Sequence, residues 1–205
     1  MTEVELLNKA LGYLGEAPVL SLTQKVTSAR AGASAMRQSV EEVLRQQPWN
    51  SALKRATLAR LIDENAFGPR YSYQLPSDYV KLVEYNDDVN DYRIEGNRIV
   101  TDDDVAEILY VAYPADFSVL DAGLIEVLAA KLAFNIAMPV TANAAIQNGM
   151  LELSERMLAR ARTMDARESS HEGKSLYAET LRDSPMIQRR RYSSRTSPTR
   201  NRTTS

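Results

Sequence analysis

The longest regular pattern of apolar residues runs from Val26 to Gln46, where they recur at alternating steps of three and four. This spacing places them on one face of an α-helix. The opposite face carries charged and amide side chains, so the predicted helix is amphipathic and needs a packing partner. Small residues on it would let that partner approach closely. The apolar face and the small residues together comprise Val26, Ala29, Gly32, Ala33, Ala35, Met36, Val40 and Val43.

A shorter amphipathic helix precedes it at the N-terminus. Thr2 and Glu5 have the spacing of a capping box, in which a threonine side chain and a glutamate side chain each bond the other's main-chain N–H. Gly15 suits the left-handed residue after a helix, and Pro18 prevents the helix from resuming. The two helices are therefore predicted to form a hairpin.

The pattern then changes to the period of two that is typical of β-strands, after a short predicted helix over 51–59. The central signal is Gly96-Asn97, which lies between two alternating runs and suits a two-residue hairpin turn with positive φ. Four stretches of the chain fit strands, and together they predict one small antiparallel sheet or barrel: 71–75, 79–85, the hairpin 92–101, and 107–113.

Helical spacing returns after Pro114. Ser118 to Asp121 is predicted to be a second capping box. The helix that follows is apolar almost all round, so we expect it to be the most buried element, broken by Pro139. A last helix, capped by Thr141 or Asn143, carries one apolar face and ends by about residue 173: Ile146, Met150, Leu153, Met157, Ala161 and Met164.

These elements predict an α+β protein: an antiparallel helical bundle with an inserted small antiparallel β-sheet or barrel and an extended C-terminal tail. Residues 1–59 and 115–170 would form the bundle, and 60–114 the inserted β-rich domain. Residues 171–205 are rich in Ser, Thr, Arg and Pro, a composition that predicts disorder in the free protein because little apolar area can be buried.

Composition excludes several kinds of chemistry. The chain has no cysteine, which removes disulfides, thiolate nucleophiles and cysteine-bound metals, and its single histidine, His171, cannot build a multi-histidine metal centre. No cofactor or metal is therefore expected. The N-terminus lacks the features of a signal peptide, and we expect no membrane contact and synthesis in the cytoplasm.

Charge is unevenly distributed along the chain. Six arginines and no acidic residue follow Asp183, whereas the first 183 residues carry 19 basic and 27 acidic side chains, a net charge of −8. Three readings of the basic segment stay open: a solvated run, contact with nucleic-acid phosphates, or folding onto a partner surface. Apolar side chains between the charges favour docking on protein, which gives these candidate docking residues: Tyr177, Leu181, Met186, Ile187, Arg189, Arg190, Arg191, Tyr192 and Arg195.

Other candidate residues have structural interpretations. The acidic stretches 87–91 and 102–104 could hold calcium, but neither matches the twelve-residue calcium loop, and solvated turns are expected. Glu126 is the best candidate for general acid–base catalysis because burial would raise its pKa, although pairing with a basic side chain or exposure to solvent is the favoured interpretation. Trp49 is expected to anchor the core, with its N–H bonded to a main-chain carbonyl.

Four short motifs resemble a known family. Ala10-Leu-Gly-Tyr-Leu-Gly-Glu-Ala-Pro-Val19 and Leu44-Arg-Gln-Gln-Pro-Trp-Asn50 are similar to the opening helical hairpin of the tail tubular protein A family, the head-to-tail adaptors (gatekeepers) of short-tailed bacteriophages. Tyr73-Gln-Leu-Pro-Ser-Asp78 and Ile94-Glu-Gly-Asn-Arg-Ile-Val-Thr101 are similar to its strand-rich insertion. Ser51 departs from the pattern, which would place an aromatic residue there.

The resemblance implies a structural virion protein that forms a ring of about a dozen copies between the portal ring and the tail nozzle protein, with DNA passing through the lumen. It also implies a location at the head–tail interface of the virion and no enzyme activity. Two alternatives come from other classes: a muralytic (cell-wall-degrading) tail enzyme that uses carboxylates, and a DNA-binding module that acts through the arginine-rich tail.

Overall fold

The computed structural model describes residues 1–62, 67–86 and 91–168. The chain divides into two compact units, residues 1–163 and 164–205, and the second is described only at the end of the last helix. The described residues have an α+β architecture with four α-helices and two small antiparallel sheets. In chain order the elements are α1 Glu3–Leu14, α2 Thr27–Leu44, β1 Leu53–Thr57, β2 Tyr71–Gln74, β3 Tyr79–Tyr85, β4 Tyr92–Glu95, β5 Arg98–Thr101, β6 Glu107–Ala112, α3 Ala122–Thr141 and α4 Ala144–Glu168.

Both ends of α1 have the predicted caps. The Thr2 hydroxyl accepts a hydrogen bond from the main-chain N–H of Glu5, and the Glu5 carboxylate accepts one from the main-chain N–H of Thr2. At the other end Gly15 adopts φ 74°, in the left-handed region where glycine has no steric penalty. Sequence therefore determines where α1 begins and ends.

The helix α2 packs against α1 and α3 through its small and apolar face. Gly32 faces Leu7 of α1 so closely that a β-carbon at position 32 would clash with the Leu7 methyl groups. A hydrogen bond from Asn135 to the hydroxyl of buried Ser39 connects α2 to α3, at 2.8 Å. Val26, predicted to be part of the apolar face, is instead the partly exposed residue before the helix, because α2 begins at Thr27.

Trp49 follows α2 and closes the helical core. Its side chain is 1 % exposed, and its Nε1–H donates to the carbonyl oxygen of Val43 at 3.0 Å. The indole packs in the same apolar cluster as α1 and α3. The link between α2 and the first sheet is thereby held to the core.

The predicted helix over 51–59 is wrong. A single 3₁₀ turn, Asn50–Ala52, leads into strand β1, which pairs antiparallel with β6 from Leu53 opposite Val111 to Thr57 opposite Glu107. The stretch is rich in Ala, Leu, Lys and Arg, which favour helix. Pairing with a strand more than fifty residues later overrides this local preference.

The inserted strands form two three-stranded sheets and not one sheet or barrel. Their strand orders are β1-β6-β3 and β2-β5-β4, and all pairs are antiparallel. The first sheet lies between two apolar clusters: Val80 and Val111 belong to the helical core, whereas Ile108 and Tyr110 pack with Tyr73 of the second sheet. The β-rich part is therefore joined to the helices through one face of the first sheet.

The helix α3 is the most buried element of the described chain, with nine buried residues. Its cap differs from the prediction: Asp121 alone caps the helix by accepting from the N–H groups of Gly123 and Leu124, and Ser118 lies in a separate 3₁₀ turn. Pro139 does not break α3, which continues to Thr141, because proline so near the end removes only one bond of the last turn. By length and composition alone α3 could also cross a membrane, but its buried residues make it a core helix here.

Candidate functional site

The predicted docking residues follow residue 168 and lie outside the part of the chain that the structure describes. They are Tyr177, Leu181, Met186, Ile187, Arg189, Arg190, Arg191, Tyr192 and Arg195. The predicted disorder of 171–205 falls in the same region and stays a prediction. Among the described residues, the element that leads to this segment is α4.

The helix α4 is long and poorly covered. It has 25 residues, of which Ser154 and Ala161 are buried. The side chain of Asn143 starts it by accepting from the main-chain N–H of Ala145 at 2.9 Å, which confirms one of the two predicted caps. A helix usually gains most of its stability from the apolar face it buries, and the described chain leaves most of α4 exposed.

The inner side of α4 contacts the helical core at several points. Ile146, Met150 and Met157 are partly buried against the core cluster, and the Ala161 methyl lies near Gly123 at the start of α3. The guanidinium of Arg162 donates to the side-chain oxygen of Gln46 at 2.6 Å. These contacts hold α4 beside α3 as an antiparallel helix.

The outer side of α4 is exposed and mixes charge with apolar groups. Leu151 is an exposed large apolar side chain on this side. Its neighbours on the helix are charged and exposed: Glu152, Glu155, Arg156 and Arg160. We call this side the α4 surface. A polar and solvent-accessible surface of this kind is compatible with the rim of a protein interface.

Glu126, the candidate general acid, is held as a charged group. Lys9 forms an ion pair with its carboxylate at 2.6 Å, and the Tyr13 hydroxyl donates a second hydrogen bond to it. Burial raises the pKa of Glu126, but these two bonds lower it by more, so the pKa lies below its ordinary value. Burial and the bond to Glu126 raise the pKa of Tyr13 well above its ordinary value. A catalytic acid needs the opposite shift, so this cluster links α1 to α3.

The acidic turn 102–104 organises the far end of the β-rich part. The carboxylate of Asp103 accepts hydrogen bonds from Tyr85 at 2.8 Å, Asn86 at 3.1 Å and Thr101 at 3.3 Å. Its main-chain oxygen accepts a fourth from the Tyr73 hydroxyl at 2.8 Å. The turn therefore connects strands of both sheets through hydrogen bonds, whereas the sequence predicts a turn that is only solvated.

The second acidic stretch, 87–91, lies mostly outside the described residues, and only Asp91 can be placed. Within the described ranges no group of three or more His, Cys, Asp or Glu side chains is arranged to hold a metal ion. The calcium hypothesis for 102–104 therefore has no set of ligands in the described chain.

Two grooves, one on the first sheet and one between the β-rich part and the helices α1 and α2, are lined partly by charged residues. One of about 300 Å³ is lined by Arg55, Glu84 and Glu107, among others. Another, of about 270 Å³, contains Asp78, whose carboxylate is bonded to Lys54 at 2.6 Å. Burial raises the pKa of Asp78, but bonds from Lys54 and a tyrosine hydroxyl lower it below its ordinary value. Asp78 is therefore ionised at neutral pH.

Sequence reasoning missed the exposed apolar residues of the β-rich part. Ile62 and Phe67, on the connection between β1 and β2, are almost completely exposed, and Tyr92 and Ile94 on β4 are partly exposed. Isolated apolar residues in a polar loop were the available signal. Single exposed apolar side chains are common on protein surfaces, so their exposure alone identifies no site.

No protein-family model matches the chain, and no curated protein matches its sequence. What the protein does must therefore be inferred from its own residues and geometry.

Proposed function

We propose that the protein is a structural virion component, a head-to-tail adaptor that forms a ring between the portal ring and the tail nozzle of a short-tailed bacteriophage and helps to retain and pass DNA. The resemblance of 10–19 and 44–50 to that family supports the proposal, because these two stretches include the ends of the first two helices. The first contains the Gly15 cap that ends α1, and the second contains the end of α2 and the buried Trp49.

The exposure of α4 carries this proposal. The helices α1, α2 and α3 have apolar partners within the chain, whereas α4 keeps most of its surface exposed and leads into the segment with the six arginines. An adaptor needs this division: a body that is stable alone and an element that is completed by another protein. In a ring, each copy repeats the same modest contact, and the repeated contacts add up to stable attachment.

The distribution of charge supports the same function. The first 183 residues carry a net charge of −8, and the segment after Asp183 carries six arginines without an acid. An acidic body beside DNA limits sticking through phosphate contacts, since such contacts require Lys and Arg. The arginines are then available for carboxylates of a portal ring, to which they can form paired hydrogen bonds.

The exposed side chains of the β-rich part supply a second contact in a ring. Ile62 and Phe67, in the connection between β1 and β2, are 98 % and 91 % exposed. In the proposed adaptor they contact a neighbouring copy or the nozzle protein. Two separate contact regions, one on α4 with the segment after it and one on the sheets, suit a protein that joins two different partners.

Deletion of residues 174–205 tests the proposal. The truncated protein should keep the melting temperature of the full chain and lose stable attachment to portal rings in co-sedimentation. Two sets of point variants separate the apolar from the electrostatic contribution to attachment. Alanine at Tyr177, Leu181, Ile187 and Tyr192 should weaken attachment at all salt concentrations. Glutamine at Arg189 to Arg191 should weaken attachment mainly at low salt. Full attachment by the truncated protein would contradict the proposal.

The six arginines favour a second candidate function, a DNA-binding module. Its signature would be an affinity for duplex DNA that falls steeply with salt and is lost with the same deletion. Portal attachment without measurable DNA affinity would favour the adaptor. Clearing of a cell-wall substrate in a zymogram would instead indicate the muralytic alternative.

A further inference from the structure

The strand β4 is an edge strand whose outer side is open in the described part of the chain. It pairs only with β5 there, at the end of the sheet β2-β5-β4, and all four of its residues, Tyr92 to Glu95, are exposed. The pairing with β5 is regular and has no bulge, and β4 contains no proline. Bulges, prolines, covering segments, charged side chains and short length usually protect an edge against pairing with another strand. Of these, β4 has two charged side chains and a length of four residues.

The hairpin turn determines which main-chain groups of β4 face outward. The turn has two residues, so Glu95 and Arg98 form the hydrogen-bonded pair that closes it. Bonded and non-bonded pairs alternate along an antiparallel ladder. The N–H and C=O groups of Tyr92 and Ile94 therefore point away from β5, and no hydrogen bond from another described residue reaches them. These groups can accept another strand.

We propose that β4 pairs antiparallel with β4 of a second copy of this chain, about a two-fold axis at Ile94, so that two three-stranded sheets become one six-stranded sheet. In this register Ile94 faces Ile94 of the other copy, and their outward N–H and C=O groups exchange two hydrogen bonds. Arg93 then lies opposite Glu95 of the other copy, and Glu95 lies opposite its Arg93.

The charges of β4 favour β4 of a second copy as the strand that pairs with it. Like charges on an edge strand repel an identical strand, which is how charged edges normally prevent self-association. Here Arg93 and Glu95 are two positions apart, carry opposite signs and lie on the same side of the strand, so antiparallel self-pairing brings each opposite its complement. Opposite charges directly across a strand pair are stabilising.

The apolar side of β4 adds to the same contact. Tyr92 is 40 % exposed and Ile94 is 44 % exposed, and both lie on the side of the sheet that carries buried Ile99. The Tyr92 ring also packs against Tyr85, with ring centroids 4.7 Å apart. Pairing of two copies would place the two Ile94 side chains against each other and cover part of this exposed rim.

The contact goes beyond the adaptor function. A two-fold contact is satisfied by two copies and does not by itself build a closed ring, which needs head-to-tail contacts. It is therefore a property of the free protein, and it can fail without affecting portal attachment. In the dimer, the edge that could otherwise recruit unrelated strands is covered.

Charge exchange within the full-length chain tests the pairing. Sedimentation equilibrium of the wild type should show a reversible dimer. Arg93→Glu and Glu95→Arg should each raise the dissociation constant at least about tenfold, because each places like charges opposite one another twice per dimer. The double variant, Arg93→Glu with Glu95→Arg, should restore the dimer. Arg55→Glu, at an exposed residue of β1, changes the net charge by the same amount as Arg93→Glu and should leave the dimer intact.

Hydrogen exchange on the wild type gives a second test that does not depend on a variant. The amide of Ile94 should be protected at concentrations where the dimer forms and exchange rapidly after dilution, whereas those of Arg93 and Glu95 should be protected in both states. A protein that is monomeric at all accessible concentrations would overturn the inference. So would a dimer that tolerates both single variants, or a double variant that stays monomeric.

Discussion

Trp49→Ala should destabilise the folded chain itself and not only its contacts with other proteins. The indole is 1 % exposed within the helical core. Truncation of a buried tryptophan costs about 3–5 kcal/mol. The stability of a whole domain is on the order of 5–15 kcal/mol, so the loss is a large fraction of it. For a protein of this size the melting temperature should fall by about 6–20 °C.

Most of this loss should come from packing, because the carbonyl that accepts the indole hydrogen bond has a second donor. The Val43 carbonyl that accepts from Trp49 Nε1 also accepts from the main-chain N–H of Gln46 at 3.2 Å. The carbonyl therefore keeps a partner in the variant. Trp49→Phe, which keeps an aromatic ring and removes the N–H, should cost less, about 1–3 kcal/mol.

Urea unfolding followed by circular dichroism measures these differences without relying on fluorescence from the chain's single tryptophan. A change in midpoint with an unchanged slope reports a change in stability alone. Leu20→Ala is the matched control, because Leu20 is 92 % exposed and its truncation should shift stability by less than about 0.5 kcal/mol. A Trp49→Ala protein with normal stability and lost partner binding would refute this reasoning and place Trp49 in an interface.

Three further variants test the packing and electrostatics of the body. Gly32→Ala should lower the unfolding free energy by about 1–3 kcal/mol, because the new methyl meets buried Leu7. Gly12→Ala, at a position with open space around it, should raise the unfolding free energy by about 0.5–1 kcal/mol. Equal effects of the two variants in thermal melts would contradict the contact between Gly32 and Leu7. Ser51→Ala removes a buried hydroxyl without a hydrogen-bond partner in the described chain and should raise stability by about 1 kcal/mol; a clear loss in urea unfolding would show that the hydroxyl is satisfied. Burial, with a hydrogen bond to a carboxylate, raises the pKa of Tyr110 to about 12 from 10.0. Tyr110 therefore ionises at lower pH in the unfolded chain, and the stability due to Tyr110 is present below pH 10 and lost as pH rises towards 12. Tyr110→Phe should flatten this decline, and an unchanged dependence of stability on pH would argue against the raised pKa.

Local signals predicted the parts of the fold that depend on neighbouring residues. The Thr2 and Glu5 caps, the left-handed Gly15 and the turn at Gly96 each follow from chemistry within a few positions, and each is present in the structure. The strands of the β-rich part followed from alternation in the same way. Such features need no knowledge of distant residues.

Errors arose where a distant partner decides the structure. Residues 53–57 have a composition that favours helix, but they form a strand because they pair with β6. Pro139 suggested a helix end, yet the turn after it persists. The strands separate into two sheets that share one apolar cluster, and the first sheet also packs on the helical core; no local pattern encodes this division.

The candidate site was only partly predictable for a related reason. An apolar stripe shows which side of α4 faces inward, but it does not show how completely that side is covered. The exposed Leu151 depends on how many elements pack around α4, and only the three-dimensional arrangement gives that. The exposed Ile62 and Phe67 are likewise features of a surface and have no sequence period.

Electron microscopy of the full-length protein mixed with purified portal rings tests the adaptor function most directly. The proposal predicts an added ring of about a dozen copies on one end of the portal, with density for the chain after α4 running onto the portal surface. The protein lacking 174–205 should leave portals bare in the same images. Bare portals with the full-length protein, or full decoration by the truncated one, would contradict the account.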